Sequence, residues 1–275
     1  MQNRTVFITG ASSGIGKATA IYFSRNNWNV VASLRNPEKE QELGTMPNVL
    51  LVKLDVTDEV SIVLALTQAL ERFGKIDVLV NNAGYGSLGS FESATTNQIA
   101  NQFETNVMGL MSVTRTFIPH FRAHSSGVII NIASIAGRAG FPLFSIYNST
   151  KFAVEGFSES LRFELEQFGI RVKIIEPGPI KTDFYSRSME FFNSESISEY
   201  KELVQRVSKN IIEWGMKGQD PEVVAKAIFK AATSTTKKLR YPVGGGAPLM
   251  MFAKWLLPDC IFRTIIKSTL GINKK

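Results

Sequence analysis

TGASSGIG, at residues 9–16, begins on the last residue of the apolar and β-branched run TVFIT at residues 5–9. It also opens a segment, residues 14–26, in which apolar residues recur with helical spacing. A strand that passes through a short turn into a helix is the first part of a βαβ unit. The stretch therefore predicts a parallel sheet that begins near the N-terminus.

Outward from this turn, strand patterns alternate with helical patterns along most of the chain. The strand patterns lie at residues 5–9, 29–33, 49–54, 77–81, 127–133 and 171–176, with a last one in LRYPVGGG at residues 239–246. The helical patterns lie at residues 14–26, 58–73, 97–123 and 145–168. This alternation predicts an α/β fold, a doubly wound parallel sheet of the Rossmann type with about seven strands and helices on both faces. Ligands of such sheets bind beyond the carboxyl ends of the strands, so we expect functional residues to follow the apolar runs.

The glycines of the first turn lie at the mouth of the first helix. Backbone without side chains can approach a pyrophosphate closely there, and the helix N–H groups point at it. The spacing is not the GxGxxG of the general dinucleotide fingerprint, and a glycine-rich turn also serves as a tight connection, so both alternatives stay open from this motif alone. The residues of the turn that we assign to a dinucleotide are Gly10, Ser12, Ser13, Gly14, Ile15 and Gly16.

The end of the second strand predicts which dinucleotide is bound. An acidic residue at that place would hold a ribose 2′-hydroxyl, but Leu34 stands where the acid is expected. Arg35 follows, with Asn36 beside it, and offers a planar fork of donors to a 2′-phosphate. Glu38 comes after Pro37 and is better explained as a first-turn residue that the helix dipole stabilises. The pattern favours NADP(H) over NAD(H), and the alternative for Arg35 is a solvated residue at the strand end.

Acid/base chemistry is predicted by YNSTK at residues 147–151 and by Ser134, which ends the strand GVIINIAS. Tyr147 and Lys151 are four residues apart and share one face of a helix. A free phenol is about 0.1% ionised at neutral pH, whereas an ammonium about 4 Å away contributes at most about 4 kcal/mol towards ionisation. We therefore predict that Lys151 lowers the pKa of Tyr147, which acts as acid/base, while Ser134 holds the substrate oxygen.

A series of markers occurs in one order along the chain: TGASSGIG, NNAG at 81–84, Asn106, Ser134, YNSTK and PGPIKT at 177–182. With these markers the chain resembles the short-chain dehydrogenase/reductase family, closely so over residues 4–182. Within the family, LRNPEK at residues 34–39 and residues 155–184 are similar to the 17β-hydroxysteroid dehydrogenase-like group.

The resemblance implies an NADP(H)-dependent enzyme that interconverts a ketone or aldehyde and an alcohol by hydride transfer. It also implies that Asn106 binds a water linking Lys151 to solvent; the alternative is a helix-interior asparagine bonded to backbone. Asp55, with Val56 beside it, is expected at the adenine ring. The remaining implied cofactor contacts are Asn82, Ala83 and Gly84 at the ribose, Tyr147 and Lys151, and Pro177, Gly178, Ile180 and Thr182 at the nicotinamide.

Aromatic residues favour an apolar substrate, such as a steroid-like, retinoid-like or other lipophilic carbonyl or alcohol. Those near the expected substrate side are Phe141, Phe144, Phe184, Tyr185, Phe191 and Phe192. Aromatics at these places serve equally well as core. Two other functions stay open: an epimerase or dehydratase that retains its cofactor, and a catalytically silent NADP(H)-binding regulatory protein.

Composition excludes several classes of protein. Thirty-one basic against 24 acidic residues leave a net charge of +7, but the basic residues are scattered, which argues against nucleic-acid binding. Cys260 is the single cysteine, and His120 and His124 lack the partners of a metal site, so we expect neither an internal disulfide nor a metal. The chain opens without a signal-like segment and has no run near the roughly 20 apolar residues of a membrane span, which predicts a cytoplasmic protein.

We expect residues 1–275 to form a single domain in which an insertion, about residues 183–215, covers the substrate. A polar helical segment is predicted near residues 194–213, followed by a helix with Asp220 as N-cap and Pro221 as first residue.

Residues 248–270 form two short apolar helical stretches broken by Pro258. They are too short to span a membrane, and we expect a lid over the core or a subunit contact, with peripheral membrane contact as the alternative. The helices that carry Asn106 and Tyr147 have apolar faces compatible with a homo-oligomer.

Overall fold

The apolar runs of the sequence form the strands of the computed structural model, which describes residues 3–192 and 197–272. The strands are β1 (Thr5–Thr9), β2 (Asn29–Leu34), β3 (Val49–Lys53), β4 (Val78–Asn81), β5 (Gly86–Leu88), β6 (Gly127–Ile132), β7 (Ile170–Pro177), β8 (Met189–Phe191) and β9 (Arg240–Val243). The α-helices are α1 (Gly14–Arg25), α2 (Glu59–Phe73), α3 (Thr96–Phe103), α4 (Leu110–Ala123), α5 (Ser145–Leu165), α6 (Lys201–Met216), α7 (Glu222–Thr233), α8 (Ala247–Leu256) and α9 (Asp259–Thr269).

The main sheet has seven parallel strands in the order β3-β2-β1-β4-β6-β7-β9. This confirms the predicted doubly wound α/β fold. The direction of winding reverses between β1 and β4, so the crevice beyond their carboxyl ends is the place where such sheets bind ligands. The glycine turn that follows β1 lies at this point.

Helices cover both faces of the sheet, and successive strand residues therefore point into two different cores. On β1, Val6 and Ile8 pack in the core that also holds Phe23 of α1, whereas Phe7 packs in the opposite core with Phe117 of α4. All of these side chains are fully buried. Strands buried on both faces explain why the sequence shows continuous apolar runs rather than alternation.

The helical pattern at residues 97–123 forms three pieces rather than one helix. A π-helical stretch at residues 104–109 separates α3 from α4. Its last residue, Gly109, lies against Val56, where an added Cβ would come within 2.7 Å of Val56 Cγ2. A single inserted residue changes the helical period too little to show in an apolar pattern, so the interruption was missed.

Other differences lie in the second half of the chain. The polar helix α6 begins and ends later than residues 194–213, and the beginning of that predicted segment, residues 194–196, lies outside the described residues. Helix α7 begins at Glu222 with Pro221 at its N-cap, one residue later than predicted. A small sheet in which β5 pairs with β8 was not predicted, because strands of three residues are too short to show a period of two.

No helix among residues 3–192 and 197–272 is long and apolar enough to cross a bilayer.

A chain of polar side chains ties the central strands to α4 and α5. Asn81 Nδ2 on β4 donates to Asn131 Oδ1 on β6 at 2.8 Å and to Thr114 Oγ1 at 2.9 Å. Asn131 Nδ2 donates in turn to Ser158 Oγ at 2.8 Å. Because all four residues are buried, each donor that loses its partner would remain without water.

We expect Asn131→Ala to lower the free energy of unfolding by about 1–3 kcal/mol, since it leaves the buried amide of Asn81 and the hydroxyl of Ser158 with fewer partners. Urea denaturation measures the change. The matched control is Asn97→Ala, an exposed position on α3. Equal losses in the two variants would contradict this role for the buried network.

Candidate active site

The carboxyl ends of the central strands open into a cleft of about 1050 Å³. Of the residues assigned to cofactor binding or catalysis from the sequence, all line this cleft except Gly16 and Asn106. The fold thus brings residues that lie far apart in the sequence, the first being Gly10 and the last Thr182, to one edge of the sheet.

The glycine turn has no room for side chains. Gly10 adopts φ +67°, and a Cβ there would lie 2.8 Å from Ala83 Cα. A Cβ on Gly16 would lie 2.3 Å from the carbonyl oxygen of Gly10, so Gly16 is needed where α1 packs on the turn. Ser13 is the N-cap of α1 but forms no side-chain cap hydrogen bond, which leaves the first-turn N–H groups to a ligand. This cradle fits the pyrophosphate of a dinucleotide.

The second polar turn is bonded directly to the first. Asn82 Nδ2 donates to the carbonyl oxygens of Thr9 and Gly10, both at 2.9 Å. Thr9 Oγ1 accepts from the N–H groups of Asn82 at 2.9 Å and Ala83 at 3.0 Å. The amide group of Asn82 therefore positions the glycine turn, a role that sequence reasoning did not assign to it or to Thr9.

The rim at the end of β2 is basic. Arg35 and Lys39 are exposed, line the cleft and form no ion pair within the described part of the chain. Glu38, the rival acid of the sequence, does not line the cleft. Glu40 does, but its carboxylate accepts from Lys17 Nζ at 2.9 Å. Free cations at this rim fit a phosphate group, and Lys39 adds a residue that the sequence analysis did not single out.

Asp55 and Val56 follow β3 on the cleft wall. The carboxylate of Asp55 accepts from the backbone N–H of Thr57 at 3.0 Å and from Thr57 Oγ1 at 2.8 Å, which fixes its orientation. Val56 packs against Gly109 of the π-helical stretch. The expected contact of these residues with adenine stays a prediction.

Tyr147, Lys151 and Ser134 meet inside the cleft. Tyr147 forms a hydrogen bond with Ser134, and Lys151 Nζ lies 5.8 Å from the centroid of the Tyr147 ring. The ammonium of Lys151 donates to the carbonyl oxygen of Ile132 at 2.8 Å. Ser134 Oγ accepts from the N–H of Ala136 at 3.1 Å, so the Ser134 side chain is itself held in place.

Burial dominates the acidity of these groups. It raises the pKa of Tyr147 above its ordinary value, an effect that the hydrogen bond with Ser134 opposes. Lys151, which was predicted to lower the pKa of Tyr147, is not among the causes of this shift, so the predicted lowering stays a prediction. Burial also lowers the pKa of Lys151 to about 8, while the charge of Glu155 opposes this change. At neutral pH the phenol is protonated and is therefore a proton donor.

Asn106 lies within the π-helical stretch and away from the cleft wall. Its Oδ1 accepts from the N–H of Tyr85 at 3.0 Å, and its Nδ2 donates to the carbonyl of Tyr85 at 2.8 Å and to Thr150 Oγ1 at 3.2 Å. The alternative of a helix-interior asparagine bonded to backbone describes this arrangement. Asn106 thus fixes the segment after Gly84, and its role as a water ligand stays a prediction.

Asn148 joins the serine turn to the tyrosine helix. Its Nδ2 donates to the carbonyl oxygens of Ala136 at 2.8 Å and Ala139 at 2.6 Å. These bonds hold the segment after Ser134 against α5, one residue from Tyr147. Asn148 lies inside the motif YNSTK, which was used to assign Tyr147 and Lys151. Its position in that motif is the signal that could have identified it.

The segment after β7 lies over the glycine turn. Thr182 stands opposite Gly14, where an added Cβ would be 3.4 Å from Thr182 Cβ. Gly178 passes close to the loop after β9, so a Cβ on it would lie 2.6 Å from the carbonyl oxygen of Gly244. Pro177 and Ile180 also line the cleft. This arrangement fits the expected position beside the nicotinamide.

One wall of the cleft is apolar. Tyr147 packs between Phe144 and Phe184, with ring centroids 5.5 Å from each. Phe191 is 49% exposed and, like Phe192, does not line the cleft, so the expected placement of these two residues was wrong. The wall residues, including three that sequence reasoning missed from the later part of the chain, are Phe141, Phe144, Phe184, Tyr185, Met189, Ile211 and Trp214.

A buried charge cluster lies one helical turn beyond Lys151. Glu155 Oε2 accepts from Arg240 Nε at 2.9 Å, and Glu176 Oε1 accepts from Arg138 Nη1 at 3.0 Å. Burial, together with the neighbouring Glu176, raises the pKa of Glu155 to about 8, although Arg240 opposes the shift. The cluster links α5 to β7 and β9, one helical turn from Lys151.

We expect the pH dependence of stability to change in Glu155→Gln. The folded-state pKa of Glu155 lies above the ordinary value of 4.5, so its contribution to stability is present at low pH and is lost as pH rises through about 8. Urea denaturation at several pH values between about 5 and 8 should show that the variant lacks this decline. Glu159→Gln, which removes the exposed partner of the same arginine, is the control. Parallel pH profiles for Glu155→Gln and the unchanged protein would contradict the titration of Glu155.

Comparison with known proteins agrees with this geometry. The family model described as short chain dehydrogenase matches residues 4–191, which include every residue assigned above to cofactor or catalysis. The chain belongs to the short-chain dehydrogenase/reductase family of oxidoreductases.

Its curated relatives match nearly the whole chain. The uncharacterized oxidoreductase YusZ of Bacillus subtilis is 40% identical, covering 98% of this chain and 99% of its own length. The 3-ketodihydrosphingosine reductase of Bacteroides thetaiotaomicron is 35% identical, covering 99% of this chain and 100% of its own length.

Solved structures share the fold. A short-chain dehydrogenase from Streptomyces avermitilis has a TM-score of 0.84 and 32% identity, covering 99% of this chain and 98% of its own. ElxO with NADP bound has a TM-score of 0.73 and 29% identity, covering 90% and 99%. A 3-ketoacyl-(acyl-carrier-protein) reductase from Brucella melitensis complexed with NADH has a TM-score of 0.74 and 26% identity, covering 90% and 98%.

Proposed function

We propose that the protein is an NADP(H)-dependent dehydrogenase/reductase that interconverts a ketone or aldehyde and the corresponding alcohol, with Tyr147 as acid/base. The observation that carries the proposal is that Tyr147, Ser134 and Lys151 line the same cleft as the glycine cradle. Lys151 lies beside the ring from the same helix. A proton donor and a dinucleotide cradle in one cleft are what carbonyl reduction requires.

The nicotinamide, when bound, supplies the hydride that adds to the carbonyl carbon or accepts it from the alcohol. Tyr147 Oη gives its proton to the carbonyl oxygen during reduction and takes it back during oxidation. Ser134 Oγ donates a hydrogen bond to the same oxygen as negative charge develops on it. Lys151, held by the carbonyl of Ile132, places an ammonium near the phenolate that remains.

The apolar wall supports a lipophilic substrate. Phe144 and Phe184 flank the Tyr147 ring, and Trp214 and Ile211 extend the apolar surface away from it. Pockets of this composition favour ligands that bury apolar surface and direct one polar group to fixed donors. The name of the 3-ketodihydrosphingosine reductase relative supports a ketone on a long apolar chain, and a steroid-like substrate stays a prediction of the subgroup resemblance.

Replacement of the phenol tests the proposed acid. We expect Tyr147→Phe to reduce turnover at least about 100-fold, since the variant has no proton to give, while NADPH binding is retained. Oxidation of NADPH against a panel of lipophilic ketones and aldehydes measures turnover, and quenching of protein fluorescence measures binding. Tyr185→Phe, which removes a partly buried phenol of the same cleft wall, is the matched variant and should keep its activity. Loss of activity in Tyr185→Phe with full activity in Tyr147→Phe would overturn the assignment.

The basic rim supports NADP(H), in keeping with the NADP held by ElxO, although the Brucella neighbour holds NADH. Arg35 and Lys39 offer cations that no described side chain neutralises.

We expect Arg35→Ser to weaken NADPH binding about 10- to 100-fold, the worth of a charge-assisted hydrogen-bond pair, with little effect on NADH. Titration with each nucleotide measures the two affinities. Arg115→Ser, an exposed arginine of α4 far from the rim in sequence, is the control. Equal losses for NADPH and NADH in the rim variant would contradict recognition of the 2′-phosphate.

Net oxidation of NADPH distinguishes the proposed dehydrogenase/reductase from the two other functions that the sequence left open. An epimerase or dehydratase would change its substrate without a lasting change in NADPH, and a regulatory protein would bind NADPH without turnover on any substrate.

We also infer that residues 1–275 form one domain of a cytoplasmic enzyme, with residues 183–215 over the substrate. The single cysteine supports a reducing compartment. The helices that carry Asn106 and Tyr147 are expected to pair between subunits, and the exposed Met108, Phe152 and Phe163 support a homo-oligomer through that face. Membrane contact through residues 248–270 is also proposed.

A further inference from the structure

Helices α8 and α9 expose an apolar face that the fold does not use. Within α8, Trp255 is 76% exposed and Leu249 is 73% exposed. The apolar side chains that form this outer face are Leu249, Phe252, Trp255, Leu256, Ile261 and Ile265. Apolar surface of this kind, with the rings of Phe252 and Trp255 tilted against each other and their centroids 6.0 Å apart, marks a contact site rather than ordinary surface.

The opposite face of the same helices already supplies their packing. Met251, Phe262, Ile266 and Leu270 are buried in the cluster that contains Tyr147. Asn210 Nδ2 of α6 also donates to the carbonyl of Leu270 at 2.9 Å. The helices are thus held to the body by their inner face, and the outer face is free for another role.

Cations line a groove along α9, on a different flank of the helix from Ile261 and Ile265. Lys254, Arg263 and Lys267 line a groove of about 370 Å³ whose apolar lining includes Phe262 and Ile266. Lys254 Nζ is paired with Asp259 at 2.7 Å, whereas Arg263 and Lys267 form no ion pair within residues 3–192 and 197–272. In the sequence, residues 247–275 hold five basic residues and one acidic residue, so 5 − 1 gives a net charge of +4.

We propose that the outer face and the basic groove dock on the surface of an anionic phospholipid bilayer. Leu249, Phe252 and Trp255 enter the boundary between headgroups and acyl chains, while Arg263 and Lys267 face lipid phosphates. Short amphipathic helices with aromatic and aliphatic residues on one side and cations beside them bind membranes in this manner. Anionic headgroups attract such cations over roughly a Debye length.

Charge argues against a second copy of the chain on this face. In a twofold contact the same patch meets itself, so Arg263 and Lys267 would approach their own copies without an anionic partner. The apolar residues Met108, Phe152 and Phe163 offer a separate surface for self-association. An anionic membrane complements both the apolar outer face and the basic groove.

Docking places the bilayer next to the substrate cleft. Phe141 lines both the basic groove and the cleft that holds Tyr147, so one side chain separates the two. A lipophilic substrate then enters the cleft directly from the membrane without crossing water. This consequence rests on the proposed function, whereas the docking itself does not.

Vesicle sedimentation with the full chain tests the proposal without any measurement of activity. We expect the protein to sediment with vesicles of phosphatidylcholine and phosphatidylglycerol, less with phosphatidylcholine alone, and less at high salt. The double variant Leu249→Ser, Trp255→Ser should bind at least about tenfold less, because two apolar anchors are lost. Phe163→Ser, an exposed apolar residue of α5, is the matched control and should bind as the unchanged protein does.

The double variant Arg263→Glu, Lys267→Glu tests the groove. The double variant Lys53→Glu, Lys230→Glu changes the net charge by the same amount elsewhere on the chain and is the control. Loss of binding only in the groove variant supports the proposal, and equal losses overturn its site. Absence of binding to anionic vesicles by the unchanged protein overturns it altogether. Analytical ultracentrifugation gives a second outcome that overturns the proposal. If the Leu249→Ser, Trp255→Ser variant loses a dimer that the unchanged protein forms, and still binds vesicles, the outer face is a contact between copies. Vesicle binding without turnover on any carbonyl would leave this proposal standing while the proposed function fails.

Discussion

The close approach of two backbone turns at the switch point of the sheet constrains the whole site. The turn after β1 and the turn after β4 touch at Gly10 and Ala83, and the side chain of Asn82 bonds to carbonyl groups of the first turn. No side chain fits between them, so only glycine at position 10 lets the two turns pack this closely. Every other wall of the cleft is positioned relative to this pair because their strands are neighbours in the sheet.

The catalytic side chains depend on a second layer of buried polar contacts. The amide of Asn148 fixes the segment after Ser134, and that of Asn106 fixes the segment after Gly84. Both asparagines bond mainly to backbone groups, which are rigid partners. A phenol enclosed in this manner stays protonated at neutral pH because water is kept from its charged form. The arrangement suits release of a proton only when a substrate oxygen becomes basic.

Much of the fold followed from the sequence because parallel strands buried on both faces leave continuous apolar runs. The positions after those runs also located the cleft, since topology brings all carboxyl ends to one edge. The spacing of apolar residues in the sequence gave no sign of the π-helical stretch around Asn106 or of the three-residue strands β5 and β8. Tertiary contacts decide what sequence spacing leaves open: Lys151 shares a face with Tyr147 as expected, but burial governs the acidity of the phenol. Trp214 and Ile211 were missed because they reach the cleft from a helix far along the chain.

The walls of the cleft come from two parts of the chain. The boundary between the two parts lies near residue 191, where the match to the family model ends. The residues proposed to bind the nucleotide and to transfer the proton all come before that point, whereas Ile211, Trp214 and the packing residues Met251 and Phe262 come after it. The two parts are packed together: β9 extends the main sheet beside β7, α7 shares a core with α1, and Met251 and Phe262 lie in the cluster that contains Tyr147. Substitutions at Ile211 and Trp214 are thus a route to new substrate selectivity that leaves the residues proposed for proton transfer unchanged.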